Sequence, residues 1–136
     1  MIDYAAINYT AVLVAAIASF LLGAIWFSPP VFGPAWLRAL GKTKEEVCGR
    51  QRYALAITAV TTWITAYVLA VIMLGLKIAS AWGGAIAGLS IGVGIVATSM
   101  LSDYLFCNFR IKLFFIQAGH RVIYLVIMGA ILGAWR

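Results

Sequence analysis

Charged residues are scarce in this sequence. Of its 136 residues only 10% are charged and 65% are hydrophobic, and the mean hydropathy is +1.04. Soluble domains average about 25% charged and about 45–50% apolar residues, so this chain could not cover its own surface in water. The composition excludes an ordinary soluble protein and predicts an integral membrane protein built as one domain over residues 1–136.

Cysteine and histidine are nearly missing as well. Cys48 and Cys107 are the two cysteines, and His120 is the one histidine. One chain therefore cannot form a disulfide framework or a paired-cysteine metal motif, and we predict no metal and leave the cofactor unknown. The sequence also has no nucleophile–base–orienter triad, phosphate-binding loop or paired-carboxylate site. Catalysis is accordingly the less favoured class of activity.

The excess of basic residues does not indicate a nucleic-acid-binding protein. The formal net charge is +6, but the lysines and arginines cluster at the ends of apolar runs, where they contact anionic headgroups or set topology. We therefore predict membrane lipids as partners and no nucleic acid.

Four apolar runs are long enough to span a hydrocarbon core, which takes about 20 helical residues. They cover roughly residues 7–27, 53–76, 79–106 and 113–135, with a loop at 28–52. The amino terminus, M-I-D-Y, has no lysine or arginine, so we expect the first run to be a retained span rather than a signal peptide. The predicted fold is an all-α integral membrane four-helix bundle with a short interfacial helix between spans one and two.

The distribution of lysine and arginine predicts the orientation of these spans. Seven basic residues lie in the loops after spans one and three, and two lie on the opposite side. By the positive-inside rule both loops are cytoplasmic and both termini lie outside. The loop residues are Arg38, Lys42, Lys44, Arg50, Arg52, Arg110 and Lys112, and the opposite ones are Lys77 and Arg136.

The loop at residues 28–52 contains two predicted helices. Residues 35–40 (A-W-L-R-A-L) are predicted to lie at the interface, with Trp36 and Leu37 toward lipid and Arg38 toward headgroups. The run T-K-E-E from Thr43 to Glu46 matches a capping box, so a second helix begins near Thr43 and can continue into span two. Short connections near 77–80 and 108–112 predict an antiparallel hairpin of spans two and three and a tight turn before span four.

Small residues recur at helical spacing in three spans. Such residues form flat helix faces that let another backbone approach closely. Two explanations stay open, namely packing within a tight bundle and a homo-oligomer interface through span three. The residues are Gly84, Gly88 and Gly92 (with Gly94 nearby) in span three, Gly129 and Gly133 in span four, and Ala15, Ser19 and Gly23 in span one.

Ionisable residues inside the spans mark candidate functional positions, because they are costly in lipid. Counted from the preceding turn, Arg121 lies about ten residues into span four, or about 15 Å deep, and Asp103 lies nearer the end of span three. Since the two spans are antiparallel neighbours, Arg121 can extend back and pair with Asp103. Such a pair is either part of a site or a structural clasp that fixes helix register.

Polar side chains share one face on each of three spans. Gln117, His120, Arg121 and Tyr124 follow helical spacing, and we predict that they line a polar pocket with Asp103. The alternative is plain packing, since hydroxyls in membrane helices often bond their own preceding carbonyls and a single histidine is more often a packing residue than a metal ligand. The other polar faces are Thr58, Thr61, Thr62 and Thr65 in span two, and Thr98, Ser99, Ser102 and Asp103 in span three.

All three prolines lie in one aromatic stretch, W-F-S-P-P-V-F-G-P-A-W, from Trp26 to Trp36. Proline removes a backbone donor and disfavours helix at the preceding residue, so this stretch predicts a stiff, kinked connector. On this motif the chain resembles a family of small bacterial four-span membrane proteins of unknown function, with the signature W-[YF]-S-P-x-x-F-G-x-x-W. The matching residues are Trp26, Phe27, Ser28, Pro29, Phe32, Gly33 and Trp36.

A second similarity to that family lies in span four, as K-L-F-x-I-x-A-G at residues 112–119 and G-A-I-L-G-A-W at 129–135. The resemblance covers nearly the whole chain. It implies four helices and a prokaryotic inner membrane, and it assigns no activity.

Three hypotheses for the function follow. The first is a homo-oligomeric pathway for a small solute or ion, lined by Asp103, Gln117, His120 and Arg121. The second is a non-catalytic module that binds lipid or a partner through the first loop. The third is a membrane enzyme that acts on a lipophilic substrate, with His120 as acid or base. For the second hypothesis the relevant residues are Trp36, Arg38, Lys42 and Lys44.

Overall fold

The fold is all-α, as the composition predicts. A computed structural model describes residues 1–49 and 51–136; helices account for 81% of the chain, and none of the described residues forms a strand. A 3₁₀ turn, Tyr4–Ala6, precedes seven α-helices and one π-helical segment. In chain order these are α1 (Tyr9–Trp26), α2 (Gly33–Leu40), α3 (Lys44–Cys48), α4 (Gln51–Gly75), α5 (Ala81–Ile91), the π segment (Gly92–Ala97), α6 (Thr98–Phe106) and α7 (Ile111–Ala134).

Four of these helical stretches are long and apolar enough to cross a membrane. They are Tyr9–Trp26, Gln51–Gly75, Ala81–Phe106 and Ile111–Ala134, of which the third joins α5, the π segment and α6 and is called the third span below. Their ends lie within two residues of the predicted ones. The chain is thus a multi-pass membrane protein, and the prediction of a four-helix bundle with a short helix after the first span is confirmed.

Consecutive spans run antiparallel, so the molecule has two distinct ends. We call the end that carries α2, α3 and the turn before α7 the loop end. The end that carries both termini and the turn after α4 is the terminal end. Each span accordingly has a loop half and a terminal half.

Side-chain caps and left-handed residues fix the helix ends. Thr43 and Glu46 form the predicted capping box, with the Thr43 hydroxyl accepting from the Glu46 amide at 3.4 Å. The turns after α4 and α6 share one motif, in which a residue at positive φ (Lys77, 56°; Asn108, 54°) ends the helix. In both turns the next amide reaches back five residues to a carbonyl oxygen at 2.9 Å, as in a Schellman motif.

The second loop helix, α3, ends at Cys48, and Gly49 follows it as a turn; the junction with span two, where the sequence allowed this helix to continue, includes a residue outside the described ones. The next described residue is Gln51, the first of α4. Arg50, one of the basic residues counted in the first loop, lies outside the described residues.

The spans pack in the order α4, α1, α7, third span. The longest interface joins α5 to α7, α1 contacts both α4 and α7, and α4 contacts α7 more sparsely. Spans two and three are antiparallel and joined by a short turn, as predicted, but α4 and α5 touch at only a few points. A short turn makes two helices antiparallel, but it does not make them pack along their length.

The hydrophobic core lies in the terminal half of the bundle. It joins the face of α1 that carries Val12 and Ala16, the end of α4 and the end of α7. By contrast, every residue from 51 to 60 of α4 is exposed. The core residues of α4 and α7 are Ala66, Leu69, Met73, Leu125, Met128 and Leu132.

Glycine faces hold the third span against α7 within one chain. A Cβ atom on Gly84 would collide with the carbonyl oxygen of Gly129, and one on Gly88 with that of Leu125. Likewise, a Cβ on Gly133 would collide with the carbonyl oxygen of Ser80. These faces are consumed by intrachain packing, so they are not free for a second copy of the chain.

The π segment changes the phase of the third span. A π-helix closes i→i+5 hydrogen bonds and usually marks one extra residue in a turn. Since an α-helix turns about 100° per residue, the side chains of α6 are rotated by about that angle relative to an uninterrupted helix. Asp103 lies beyond this segment, so its direction relative to the glycine face of α5 differs from that in an uninterrupted α-helix.

Candidate functional site

The connector between α1 and α2 folds back on itself. The Phe32 amide donates to the carbonyl oxygen of Trp26 at 3.0 Å, and the Gly33 amide donates to that of Ser28 at 3.0 Å. The rings of Trp26 and Phe32 lie with centroids 4.5 Å apart. A Cβ on Gly33 would come within 2.6 Å of the Phe27 carbonyl oxygen, so only glycine fits there.

This connector is docked on α7. The Trp26 indole Nε1 donates a hydrogen bond of 3.1 Å to the carbonyl oxygen of Ile116. Gly119 lies beneath the same ring, since a Cβ there would sit 3.5 Å from Trp26 Cζ2. The indole thus packs directly over Gly119, at a distance that a Cβ would meet in ordinary van der Waals contact. Sequence analysis placed this motif and span four in separate groups, and the structure brings them together.

His120 occupies an aromatic cage built by that contact. Its ring centroid lies 6.1 Å from Trp26, 5.1 Å from Phe27 and 5.2 Å from Tyr124. On the α1 side a Cβ on Gly23 would sit 3.2 Å from His120 Nε2, so a larger residue would press on the imidazole. This packing accounts for the position of His120 in the bundle.

Two buried polar atoms lie along this contact without a hydrogen-bond partner. They are His120 Nε2 and the hydroxyl oxygen of Ser19, and Ser19 is one helical turn from Gly23 on α1. Among the described residues, no group of three His, Cys, Asp or Glu side chains could hold a metal ion. The contacts of His120 in the structure are packing contacts, and its role in a site stays a prediction.

The predicted polar stripe of α7 divides into two environments. His120 and Tyr124 pack against each other on the side that meets α1. Arg121 is exposed, and Gln117 is half-buried. The four residues share a helical stripe, as their spacing requires, but they do not line one enclosed pocket.

The expected ion pair between Asp103 and Arg121 is not formed in the structure. Both side chains are exposed, and their charged atoms do not come within the 4.0 Å that defines an ion pair. Asp103 directly precedes Tyr104, whose ring packs on Phe114 of α7 at 5.8 Å. Asp103 thus lies beside the helix contact, about 100° around α6 from it, rather than within it.

Arg121 continues the core-facing stripe of α7 into the loop half. It lies four residues before Leu125, seven before Met128 and eleven before Leu132, all of them in the core, and those spacings fall on one helix face. In the terminal half that stripe belongs to one core cluster with α1 and with Ala66, Leu69 and Met73 of α4. In the loop half α4 leaves it uncovered, because residues 51–60 make no buried contact.

The result is a polar, uncovered part of the spans that we call the open region. Thr58 and Thr62 lie on the core-facing stripe of α4, eight and four residues before Ala66, respectively. The threonine hydroxyls are partly used within their own helices; for example, Thr65 Oγ1 donates to the Thr61 carbonyl oxygen at 2.8 Å. The open region consists of Thr58, Thr62, Asp103, Gln117 and Arg121, all exposed or half-buried in the loop halves of α4, α6 and α7.

The basic residues of the first loop lie outside this region. Trp36 is half-buried against the Phe27 ring at 5.1 Å. Arg38, Lys42 and Lys44 are exposed. A wide depression between α2 and α3 is bordered by Trp36, Leu40, Lys42, Glu46, Val47 and Gly49.

Comparison with known families gives one match. The model of a family described as "Protein of unknown function (DUF1761)" matches residues 10–133, which is nearly the whole chain and all four spans. No curated protein matches the chain. No solved structure matches it either.

Proposed function

The chain belongs to the DUF1761 family, and we propose that it forms a homo-oligomeric pathway that lets a small polar solute or an ion cross the membrane through the open region. The membrane location rests on the four apolar spans. The pathway is our inference from the charged and polar side chains in the loop halves of three of those spans.

The observation that carries this proposal is an exposed arginine at mid-membrane depth, for which residues 1–49 and 51–136 supply no ion-pair partner. Arg121 lies ten residues after Ile111, the first residue of α7, which places it about 15 Å from the loop end. That is roughly half of a hydrocarbon core about 30 Å thick. A charged side chain at the bilayer centre costs about 2.5–3.5 kcal/mol even on the most lenient insertion scale, so water or protein must solvate it.

The composition of the open region favours a polar passage rather than a binding surface for lipid tails. It combines one cation, one anion, an amide and hydroxyl groups in the loop halves of three spans. Polar groups in contact with acyl chains would have no hydrogen-bond partners, which is strongly unfavourable. A row of such groups that faces water instead can replace part of the hydration shell of a solute.

The proposal includes an orientation and a location. We place the loop end in the cytoplasm, because seven of the nine basic residues other than Arg121 belong, in the sequence, to the loops after spans one and three or their flanks. Both termini then face the opposite side. The membrane we propose is the inner membrane of a bacterium, as the resemblance of the Trp26–Trp36 motif implies.

Reconstitution into liposomes tests this function. Vesicles containing the purified wild type should pass K⁺, Cl⁻ or glycerol faster than protein-free vesicles. Arg121→Ala, which removes the deep charge, and Gln117→Leu, which makes its neighbour apolar, should return the rate to that of protein-free vesicles. Phe115→Ala is the matched control, since Phe115 is on the same helix and 66% exposed. Wild-type rates equal to protein-free ones for all three probes, or full rates in both variants, would refute a pathway through the open region.

A further inference from the structure

We propose that a second copy of this chain covers the open region and supplies its Asp103 to Arg121, so that each pathway is completed by a carboxylate from the neighbouring chain. The inference rests on the proposed function in one respect only, namely that the open region is the pathway. The pairing itself is argued from charge, depth and the packing of the spans.

A cover is required because the chain leaves its own charged residues uncovered. Asp103 and Arg121 are both exposed and form no ion pair with each other in one chain. Residues 51–60 of α4 do not cover them from within the chain, since they are exposed along the entire stretch and α4 packs mainly on α1. Charged side chains in membrane spans almost always face protein or water and pair with one another.

The backbones of Arg121 and Asp103 lie at different depths in the membrane, but their side chains extend toward a common depth. Arg121 lies about 15 Å from the loop end, and Asp103, three residues before Phe106, lies about 4.5 Å from it. Helix side chains lean toward the amino terminus of their helix, so Arg121 leans toward the loop end and Asp103 leans deeper. A two-fold axis along the membrane normal preserves depth, and the long arginine side chain can therefore reach the aspartate of the neighbouring copy.

Charge complementarity favours a second copy over any other occupant. The open region carries one carboxylate and one guanidinium, so two copies related by a two-fold axis satisfy each other with two reciprocal pairs. A lipid headgroup could neutralise Arg121 but would leave Asp103 unpaired. Because the glycine faces of the third span are consumed within the chain, this contact must use the loop halves of α4 and α6 instead.

Chemical cross-linking between differently tagged chains tests the pairing. In a background with Cys48→Ser and Cys107→Ser, one chain carries Asp103→Cys and the other carries Arg121→Cys, and both are co-expressed in membranes. A short bifunctional methanethiosulfonate should yield a covalent dimer that contains both tags. Leu105→Cys with Arg121→Cys is the control and should give no such dimer, since Leu105 is 68% exposed but lies on the opposite side of α6 from Asp103.

A second measurement protects the test against variants that fail to fold. The wild type should be dimeric in lipid nanodiscs, and Asp103→Ala or Arg121→Ala should each raise the dimer dissociation constant by about 30-fold or more. The double variant Asp103→Arg with Arg121→Asp should restore it. A monomeric wild type, or a cross-link confined to one chain when both cysteines are placed in it, would overturn the inference.

The two proposals fail in different ways. If flux is present and no mixed dimer forms, the pairing is wrong and the pathway stands. If the mixed dimer forms and no probe crosses the membrane, the pairing stands and the pathway is wrong.

Discussion

The indole Nε1 of Trp26 donates a hydrogen bond to the main-chain oxygen of Ile116, ninety residues away in sequence. It joins the end of the first span to the fourth span at the level where His120 is caged. The aromatic connector is thus a tertiary clamp as well as a turn. Its prolines bend the backbone, and the Trp26 indole attaches the connector to α7.

Replacing Trp26 with phenylalanine should weaken this clamp. The ring is kept, but the hydrogen bond to Ile116 is lost, which should lower the free energy of unfolding by about 0.5–1.5 kcal/mol. The measurement is unfolding by SDS in mixed micelles, followed by circular dichroism. Trp82→Phe is the control, because Trp82 is 77% exposed and should change stability by less than about 0.5 kcal/mol. Equal losses in both variants would show that the hydrogen bond contributes nothing.

Adding one methyl group at Gly84 should separate two spans. The new Cβ would collide with the backbone oxygen of Gly129, which cannot move aside as a flexible side chain would. Overpacking of this kind costs about 1–3 kcal/mol, and the thermal midpoint of Gly84→Ala in detergent should fall accordingly.

The matched control for Gly84 lies in the same span. Gly94 has nothing within 4 Å of its Cβ position, so Gly94→Ala should not destabilise the protein, and alanine is the better helix former by about 1 kcal/mol. If Gly84→Ala melts at the wild-type temperature, α5 and α7 are farther apart than described.

Two substitutions at His120 distinguish a packing role of its ring from a chemical role of its imidazole. His120→Ala empties the aromatic cage and should cost about 2–4 kcal/mol of stability. His120→Phe fills the cage and removes the unpartnered Nε2, whose burial costs about 1–3 kcal/mol, so it should be at least as stable as the wild type.

The same two variants are then compared in the liposome assay. If His120 only packs, His120→Phe should conduct like the wild type. A folded His120→Phe protein without activity would instead assign chemistry to the imidazole and revive the hypothesis of a membrane enzyme.

Sequence reasoning recovered the spans and the helix caps but not the direction that each span faces. Run length and the capping box at Thr43 are local properties, and the structure has both. The direction in which a residue faces is not a local property. Lipid tails are as apolar as the interior of the bundle, so hydrophobicity does not distinguish Leu69, which is buried, from Ile64, which is exposed. The glycine spacing was more informative, since a missing side chain signals close approach. It could not name the partner helix.

Of the open region, Asp103, Gln117 and Arg121 were named from the sequence, but the expected pair of Asp103 and Arg121 is not formed. That expectation rested on the two spans being antiparallel neighbours, which sets the depths of the two residues but not the direction in which each side chain points. The cage around His120 depends on Trp26 and Phe27, which are distant in sequence and carry no spacing signal toward residue 120. Aromatic residues on both flanks of the prolines were the available clue that this connector packs against something.

The π segment has a further consequence for how this family can vary. Its side chains Val93 and Ile95 are exposed, so the amino acids at these two positions should vary freely between relatives. The number of residues in the segment should not vary. Deleting a single residue there would restore uniform α-helical winding. Asp103, eleven residues after Gly92, would then rotate about the helix axis by about a quarter turn, and its side chain would point toward a different neighbour.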